Sequence, residues 1–368
     1  MTSHPRVKRG NIQRHLSAQL IFLVCLLTFA ICPKTRAEEQ AFAHPTTGIG
    51  PNKLAVIIND LDPLSQKIGE YYQARRNIPS ANMIHIRFKL GDTNLPRTEF
   101  SRIKAEVDRK TPAEVQAYAL TWAAPYRVDC MSITTAFAAG FDPGFCSTGC
   151  GKTRQNPYFN SNSRAPYTDL KIRPTMTLAA INFATAKKLI DRGVASDGTF
   201  PQGTGYLVNT TDKARNVRAI LYPEIVKLLG KYMDLRVVNT NYLTNRNNIL
   251  FYFTGSTNVQ KLETNRFVPG AIADHLTSAG GQLTDSEQMS SLRWLEAGAA
   301  GSYGNVVEPC NHLAKFPHPG IAISRYLQGE TLIEAYWKSV AWPGEGIFVG
   351  EPLAAPFRPA TRVEFILK

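Results

Sequence analysis

The sequence predicts an α/β protein: a three-layer sandwich in which a mostly parallel sheet lies between two layers of helices. Two observations predict this class. Nearly continuous apolar runs, as in residues 53–60 and 247–256, are typical of strands that are buried on both faces. Segments with helical periodicity and helix caps separate such runs, and strands that alternate with helices favour parallel pairing.

The first 37 residues have the pattern of a secretory signal peptide. Arg6, Lys8 and Arg9 precede the apolar run at residues 20–32, and a small residue, Ala37, closes the segment. The run is short for a membrane span, which needs about 20 residues. We therefore expect cleavage after Ala37, a periplasmic or secreted protein, and no stable membrane span. An uncleaved membrane anchor is the alternative.

Residues 38–368 are long enough for one α/β domain, which is the organisation that we expect. The full chain has a formal net charge of +13, and the presequence holds six basic residues and no acidic one. The rest therefore has 36 basic and 29 acidic residues, a net charge of +7. This excess is spread along the chain without a dense basic stripe, which disfavours a nucleic-acid partner. We expect that the protein binds neither a cofactor nor a metal.

The first half begins with a β-α-β unit. A strand at residues 53–60 is followed by a helix that Asp62 caps, that Pro63 begins and that Pro79 stops. The segment MIHIRFKL then predicts a second strand, reached by a right-handed crossover. An amphipathic helix in RTEFSRIKAEVDRK and a third strand around residues 117–122 follow.

Residues 141–173 are rich in Gly, Pro, Asn and Ser and predict a long loop insertion. Regular elements then return. We expect a helix that ends at Gly193, a strand in GTGYLVNTTD, a helix interrupted near Pro223, and a central strand at 247–256. A helix, a glycine turn and a strand lead to Glu308, and two helical segments and a last short strand complete the chain.

Polar residues that follow predicted strands are the candidates for a site, because ligands bind open parallel sheets beyond the carboxyl ends of the strands. Glu308 is the most suggestive, since its carboxylate can bind a cation, a base or a ligand amine. Capping a helix or pairing with an arginine is the equally weighted alternative. The strand-end candidates are Asn59, Asp60, Asn209, Asp212, Thr254, Ser256 and Glu308.

Two histidine pairs are candidates for catalysis. Glu308 with His312 is one pair, and Ser278 with His275 is the other. A triad of Ser278, His275 and Asp274 is disfavoured, because neighbouring side chains point apart and the chain has no Gly-x-Ser-x-Gly elbow.

Four cysteines follow the presequence: Cys130, Cys146, Cys150 and Cys310. The stretch GFCSTGCGKT ends like a phosphate-binding loop, but the position that needs the first glycine holds Cys146. A zinc site would need Cys310 and His312 as one pair of ligands, and only one residue separates them. A redox pair and a Cys310 nucleophile are also less well supported than disulfides. An even cysteine count in an exported chain favours two disulfides, and three pairings remain open.

Four segments carry a family resemblance: KLAVIINDLDPLSQKIGEYYQARRNIP, PGAIADHLTS, WLEAGAAGSYGNVVEP and GEPLAAPF. They resemble, in the same order, an uncharacterised family of exported bacterial proteins from species that carry exosortase, a membrane-embedded protein-sorting transpeptidase. The resemblance covers nearly all of the mature chain. It implies a link to protein sorting or exopolysaccharide systems and no assigned activity.

The second half is also distantly similar to gingipain-type, caspase-like cysteine peptidases, which implies a scaffold of that kind. In those enzymes one strand ends in His-Gly, the next ends in the nucleophilic Cys, and a Gly-Asp-Pro turn closes the domain. Here the corresponding positions are Thr254-Gly255-Ser256, Thr277-Ser278 and Gly350-Glu351-Pro352. The dyad is absent, so no catalytic residue is carried over.

Two functions follow from the sequence. The first is a non-catalytic envelope protein that binds a peptide or glycan at the carboxyl edge of the sheet. The alternative is a peptidase- or esterase-like hydrolase that uses the non-standard strand-end pairs named above.

Overall fold

A ten-stranded sheet organises the part of the chain that the computed structural model describes, residues 48–147 and 150–359. The predicted signal peptide lies outside these residues. Every described residue belongs to one compact unit, His44–Lys368. In spatial order the sheet is β2-β1-β3-β6-β12-β11-β10-β9-β7-β8.

The strands of this sheet are β1 Leu54–Asn59, β2 Met83–Ile86, β3 Ala117–Leu120, β6 Thr175–Thr177, β7 Thr204–Asn209, β8 Asp234–Asn239, β9 Ile249–Gly255, β10 Phe267–Leu276, β11 Gly301–Asn305 and β12 Gly346–Gly350. A separate hairpin pairs β4, Arg127–Val128, with β5, Met131–Ser132. The α-helices are α1 Pro63–Arg76, α2 Arg97–Lys110, α3 Ile133–Ala139, α4 Pro166–Leu170, α5 Phe183–Ser196, α6 Tyr222–Leu229, α7 Leu292–Ala297, α8 Pro319–Leu327 and α9 Leu332–Ser339.

The predicted fold class is confirmed: the sheet is mostly parallel and helices cover both of its faces. The β1-α1-β2 unit forms where the sequence predicts it. All six residues of β1 are buried, the Asp62 side chain accepts from the N–H of Leu64 at 2.8 Å, and Asn77 ends α1 in the left-handed conformation.

β12 is the strand that departs from the parallel pattern. It runs antiparallel to β11 over five residue pairs and touches β6 through a single parallel bridge, Val349 to Thr177. These two pairings join the half of the sheet that contains β6 to the half that contains β11.

Two short strands differ from the predictions. β6, Thr175–Thr177, was not predicted: it ends at Thr177, where the predicted helix starts, and that helix begins only at Phe183. β8 was not predicted, because only one of its six residues, Leu235, is fully buried and the strand lies at the edge of the sheet. The predicted long loop at 141–173 is confirmed as mostly irregular, with α4 near its end.

The helices of the described residues include none that is both long enough and apolar enough to cross a membrane.

Candidate functional site

Loops from both halves of the sheet meet beyond the end of β10. The hydroxyl of Tyr126, after β3, donates to Asp285, after β10, at 2.7 Å. The N–H of Val306, after β11, donates to the carbonyl of Glu345, before β12, at 2.9 Å. β7, β8 and β9 are parallel to β10, so the residues after these strands reach the same edge. The sequence-predicted candidates after β7 and β9 therefore lie near one another.

A polar cleft of about 370 Å³, which we call the amide cleft, opens beyond β7, β8 and β9. Two predicted site residues, Asp212 and Ser256, line it. The other lining groups are hydroxyls, amides and one phenol. The lining residues are Thr210, Thr211, Asp212, Asn241, Tyr242, Ser256, Thr257, Asn258 and Gln260.

Local hydrogen bonds hold the walls of the amide cleft. The Thr210 hydroxyl donates to the carbonyl of Gly255 at 2.7 Å and so joins the ends of β7 and β9. The carbonyl oxygen of Asn241 accepts from the N–H of Thr211 at 2.8 Å and from its hydroxyl at 3.0 Å. Both bonds are accepted by the side-chain oxygen of Asn241, so its NH₂ group can donate to a ligand.

Asp212 is held in an ion pair. Its carboxylate lies 3.2 Å from the guanidinium of Arg215, and it also accepts from the N–H of that residue. Arg215 donates from Nε to the Thr277 hydroxyl at 3.3 Å, and Thr277 donates to the Gln288 side chain at 2.6 Å. This chain connects the amide cleft to the end of β10 and fixes the direction of the Asp212 carboxylate.

His275 is buried in β10 and both of its ring nitrogens are engaged. Nδ1 accepts from the indole N–H of Trp294 at 2.9 Å, and Nε2 lies 3.0 Å from the carbonyl of Met289, to which it donates. Burial, together with the nearby Arg218 charge, lowers the pKa of His275 to about 3, although the hydrogen bond to Met289 opposes the shift. The imidazole is therefore neutral and has no free nitrogen with which to accept a proton from Ser278, which follows β10 and is half-buried.

The neighbour of His275, Asp274, points to the other face of the strand. It forms a buried ion pair with Arg218 at 2.6 Å, and Arg218 also donates to the carbonyl of Thr254 at 2.6 Å. Burial raises the pKa of Asp274, and Arg218 opposes that rise. The pair ties β9 and β10 to the segment before α6 and takes no part in the amide cleft.

Glu308 and His312 are both engaged in local contacts beyond β11. The exposed Glu308 carboxylate accepts from the N–H of Cys310 at 2.7 Å, which is a turn-capping bond. His312 Nε2 lies 2.7 Å from the carbonyl of Cys150, and its ring packs edge-on against Trp342 at 5.9 Å. Glu308 therefore caps a turn, and His312 packs against Trp342. Among the described contacts there is no hydrogen bond between Glu308 and His312.

Two disulfides join Cys130 to Cys146 and Cys150 to Cys310. The first bridge ties the long loop to the β4–β5 hairpin, and the second ties it to the segment after β11. Oxidised cysteines exclude a thiol nucleophile at Cys310 and the four-ligand zinc set.

A buried ion pair anchors the same loop. Lys315 donates to Glu345 at 2.7 Å, and both side chains are almost fully buried. Glu345 also accepts from the N–H and the hydroxyl of Ser147, each at 2.9 Å, and Lys315 donates to that hydroxyl at 2.9 Å. These bonds hold Ser147 of the long loop against the residue before β12 and the short turn after β11.

The other strand-end candidates have structural partners. The buried Asn59 side chain donates to the carbonyl of Phe88 at 3.0 Å and accepts from its N–H at 3.2 Å. Asp60 contacts His85 at 2.6 Å. Asn209 donates to Asn239 at 2.8 Å.

Sequence reasoning named two of the nine residues that line the amide cleft and missed seven, among them Asn241, Tyr242, Asn258 and Gln260. Asn241 and Tyr242 follow β8, which was not recognised as a strand. The density of amides and hydroxyls in NTNYLTN, directly after VV, is the signal that could have identified them.

The comparisons with known proteins show distant likeness. No family model matches the chain, and no curated protein matches it. A solved complex of the pro- and mature domains of RgpB from Porphyromonas gingivalis is 10% identical, with a TM-score of 0.38 over 83% of this chain and 80% of that one. A second structure, of a protease, is 11% identical, with a TM-score of 0.39 over 84% of this chain and 79% of that one. Likeness at this distance identifies no family and carries no argument about activity, so the α/β class rests on the sheet itself.

Proposed function

We propose that this protein is a non-catalytic binding protein of the cell envelope whose amide cleft holds a glycan. The lining of the cleft is the observation that carries the proposal. A sugar presents neighbouring hydroxyls that both donate and accept, and side-chain amides and hydroxyls match that pattern. Tyr242 adds an aromatic ring whose face can pack against the apolar side of a sugar. None of the described residues that line the cleft is cationic, which favours a neutral glycan.

The chemistry of the cleft supports binding over hydrolysis. Canonical glycosidases use two carboxylates about 5–9.5 Å apart. Among the described residues that line the cleft, Asp212 is the only carboxylate, and it is paired with Arg215. Acyl transfer needs a nucleophile within about 3 Å of a base. His275 is the nearest predicted base, and its nitrogens are already engaged.

Export supports the envelope as the place of action. The pattern of the first 37 residues is that of a signal peptide, and disulfides persist in oxidising compartments outside the cytoplasm. The resemblance to an exosortase-associated family supports a link to protein sorting or exopolysaccharide systems. An exopolysaccharide or envelope glycan is therefore the class of ligand that we infer.

The experiment is a screen of the purified, oxidised protein on an array of bacterial oligosaccharides, followed by titration calorimetry with the best binder. Gln260→Ala and Asn241→Ala are each expected to weaken binding by about two- to tenfold, because each removes one hydrogen bond to a neutral ligand group. The matched control is Gln202→Ala. Gln202 is an exposed glutamine just before β7, at the opposite end of that strand, and its removal should leave the affinity unchanged.

Two results would overturn the proposal. Binding of an unstructured peptide array, with no oligosaccharide bound, would assign the cleft to peptides. Turnover of peptide, ester or glycan substrates that Glu308→Gln or Ser278→Ala abolishes would establish the hydrolase alternative instead.

A further inference from the structure

The two edge strands of the sheet, β2 and β8, are protected differently. In β2 the carbonyl of Ile86 points toward β1, so the alternate carbonyls of His85 and Arg87 point outward. Lys110 donates to the first at 2.6 Å, and Arg102 donates to the second at 2.9 Å. Side chains of α2 therefore occupy the outward acceptors of this edge.

The outward groups of β8 have no such cover. The N–H of Thr240 donates to the carbonyl of Asn209 in β7 at 3.1 Å, so even-numbered residues of β8 point toward β7. Leu235, Val237 and Asn239 then direct their N–H and C=O groups outward. Within residues 48–147 and 150–359 no hydrogen-bond partner is found for these outward groups. An open edge of this kind is a template for pairing with another strand.

We propose that β8 is a dimer interface, at which two copies of this chain pair their β8 strands antiparallel about a two-fold axis at Leu235. The two sheets then become one continuous sheet. Leu235 lies on the axis with its N–H and C=O outward, so it exchanges both bonds with Leu235 of the second copy. This inference is independent of the proposed function.

The side chains of β8 are complementary to themselves in this register. Asp234 lies opposite Arg236 of the second copy, and Arg236 lies opposite Asp234, so two pairs of opposite charge form across the axis. In the single chain both side chains are exposed, 44% and 58%, and they form an ion pair with each other at 2.7 Å, so across the axis each charge also meets the opposite charge of the second copy. On the other face Val237, which is 42% exposed, lies opposite the half-buried Met233. Directly opposite residues share a face and lie about 4.5–5.5 Å apart at Cβ, so both kinds of pair are in contact.

Neighbouring registers lack this match. An axis at Arg236 places two guanidinium groups opposite each other, which is destabilising. An axis at Val237 places Arg236 opposite the apolar Val238 and Leu235 opposite Asn239. The Leu235 axis alone among the three pairs charge with opposite charge and apolar with apolar side chains.

The experiment is sedimentation equilibrium of the purified, oxidised full chain over a range of concentrations. We expect a reversible monomer–dimer equilibrium. Arg236→Asp should raise the dissociation constant by about tenfold or more, because two attractive pairs become repulsive. The double variant Asp234→Arg/Arg236→Asp should restore dimerisation, since the swap recreates both pairs. Restored dimerisation would support the Leu235 register, because a register without the Asp234–Arg236 pairs would not respond to the swap.

Backbone pairing is tested by Val237→Pro, which removes an outward N–H and no bond to β7. It should abolish the dimer, whereas the control Val237→Thr keeps the N–H and should retain it. If Val237→Pro fails to fold, as judged by circular dichroism, the charge swap still decides. A monomer at every concentration overturns the proposal, and so does a dimer that the swap and Arg236→Asp leave unchanged. Binding of a synthetic DLRVVN peptide by a protein that never dimerises would assign the edge to an extended peptide partner and overturn it too.

Discussion

His275 is held neutral by its position, and that has a measurable consequence for stability. Its folded pKa is about 3, against about 6.5 for an unperturbed histidine. Because the folded pKa is lowered, the unfolded chain takes up the proton first. The stability that neutral His275 contributes is complete above pH 6.5 and is lost as the pH falls toward 3.

We predict that His275→Gln flattens the acid side of the stability profile. In the native protein this one residue should reduce the free energy of unfolding by up to about 1.4 kcal/mol per pH unit below pH 6.5. Urea unfolding at pH 7 and pH 5 measures it, with His85→Gln, an exposed histidine, as the matched control. An equal loss between these pH values in the native protein and His275→Gln would contradict the assignment.

At the scale of elements, the Lys315–Glu345 pair is the contact that fastens the long loop to the sheet. It joins Ser147 in the loop to the residue before β12 and to the short turn after β11. A buried charge that loses its partner costs far more than an exposed one, because it remains desolvated.

We predict that Lys315→Met destabilises the fold by about 3–5 kcal/mol, since it leaves Glu345 buried and unpaired. Lys315→Met/Glu345→Gln should be more stable than Lys315→Met alone, because the neutral amide still accepts from Ser147. Chemical denaturation measures both variants. The matched control, Lys227→Met in the exposed pair with Glu224, should cost under about 1 kcal/mol. If the double variant is less stable than the single one, the unpaired charge is not the cause.

Elements with strong local signals could be predicted from the sequence, and weakly marked ones could not. β1 and α1 were predictable because a continuous apolar run and a capped helix each specify their own conformation. β6 has only three residues, and β8 has the exposure of an edge strand, so their pairing depends on neighbours far along the chain. For that reason only two of the nine residues that line the amide cleft were predicted: Asp212 and Ser256 follow recognised strands, whereas Asn241 follows β8.

The sequence predicted where the candidate residues lie better than it predicted whether their side chains are available for catalysis. Glu308 does lie just beyond a strand end, as predicted, but its carboxylate caps the N–H of Cys310. His275 lies at the end of β10, but Trp294, nineteen residues later, occupies one of its nitrogens. Which partner a polar side chain meets is decided by tertiary contacts, which spacing in the sequence does not reveal.

At the scale of the whole molecule, the two disulfides connect segments that are very different distances apart. Cys130 and Cys146 are separated by 16 residues, and Cys150 and Cys310 by 160. In the chain-entropy model a cross-link restricts the unfolded state more when it closes a longer loop. The second bridge also joins the long loop to the segment after β11, across most of the second half of the chain.

We predict that Cys150→Ser/Cys310→Ser destabilises the protein more than Cys130→Ser/Cys146→Ser. The chain-entropy model gives about 5 kcal/mol for the longer closed loop and about 3 kcal/mol for the shorter one, before any strain in the native state is counted. Denaturant unfolding of both double variants against the oxidised parent measures the difference. Mass spectrometry of an unreduced chymotryptic digest, with fragmentation of the linked peptides between Cys146 and Cys150, provides the control, because it must first show Cys130 linked to Cys146 and Cys150 linked to Cys310. Equal losses would mean that native contacts around each bridge, and not the length of chain that it closes, set its contribution. A digest with Cys146 linked to Cys150 would contradict the pairing itself, and with it the attachment of the long loop to the carboxyl edge of the sheet.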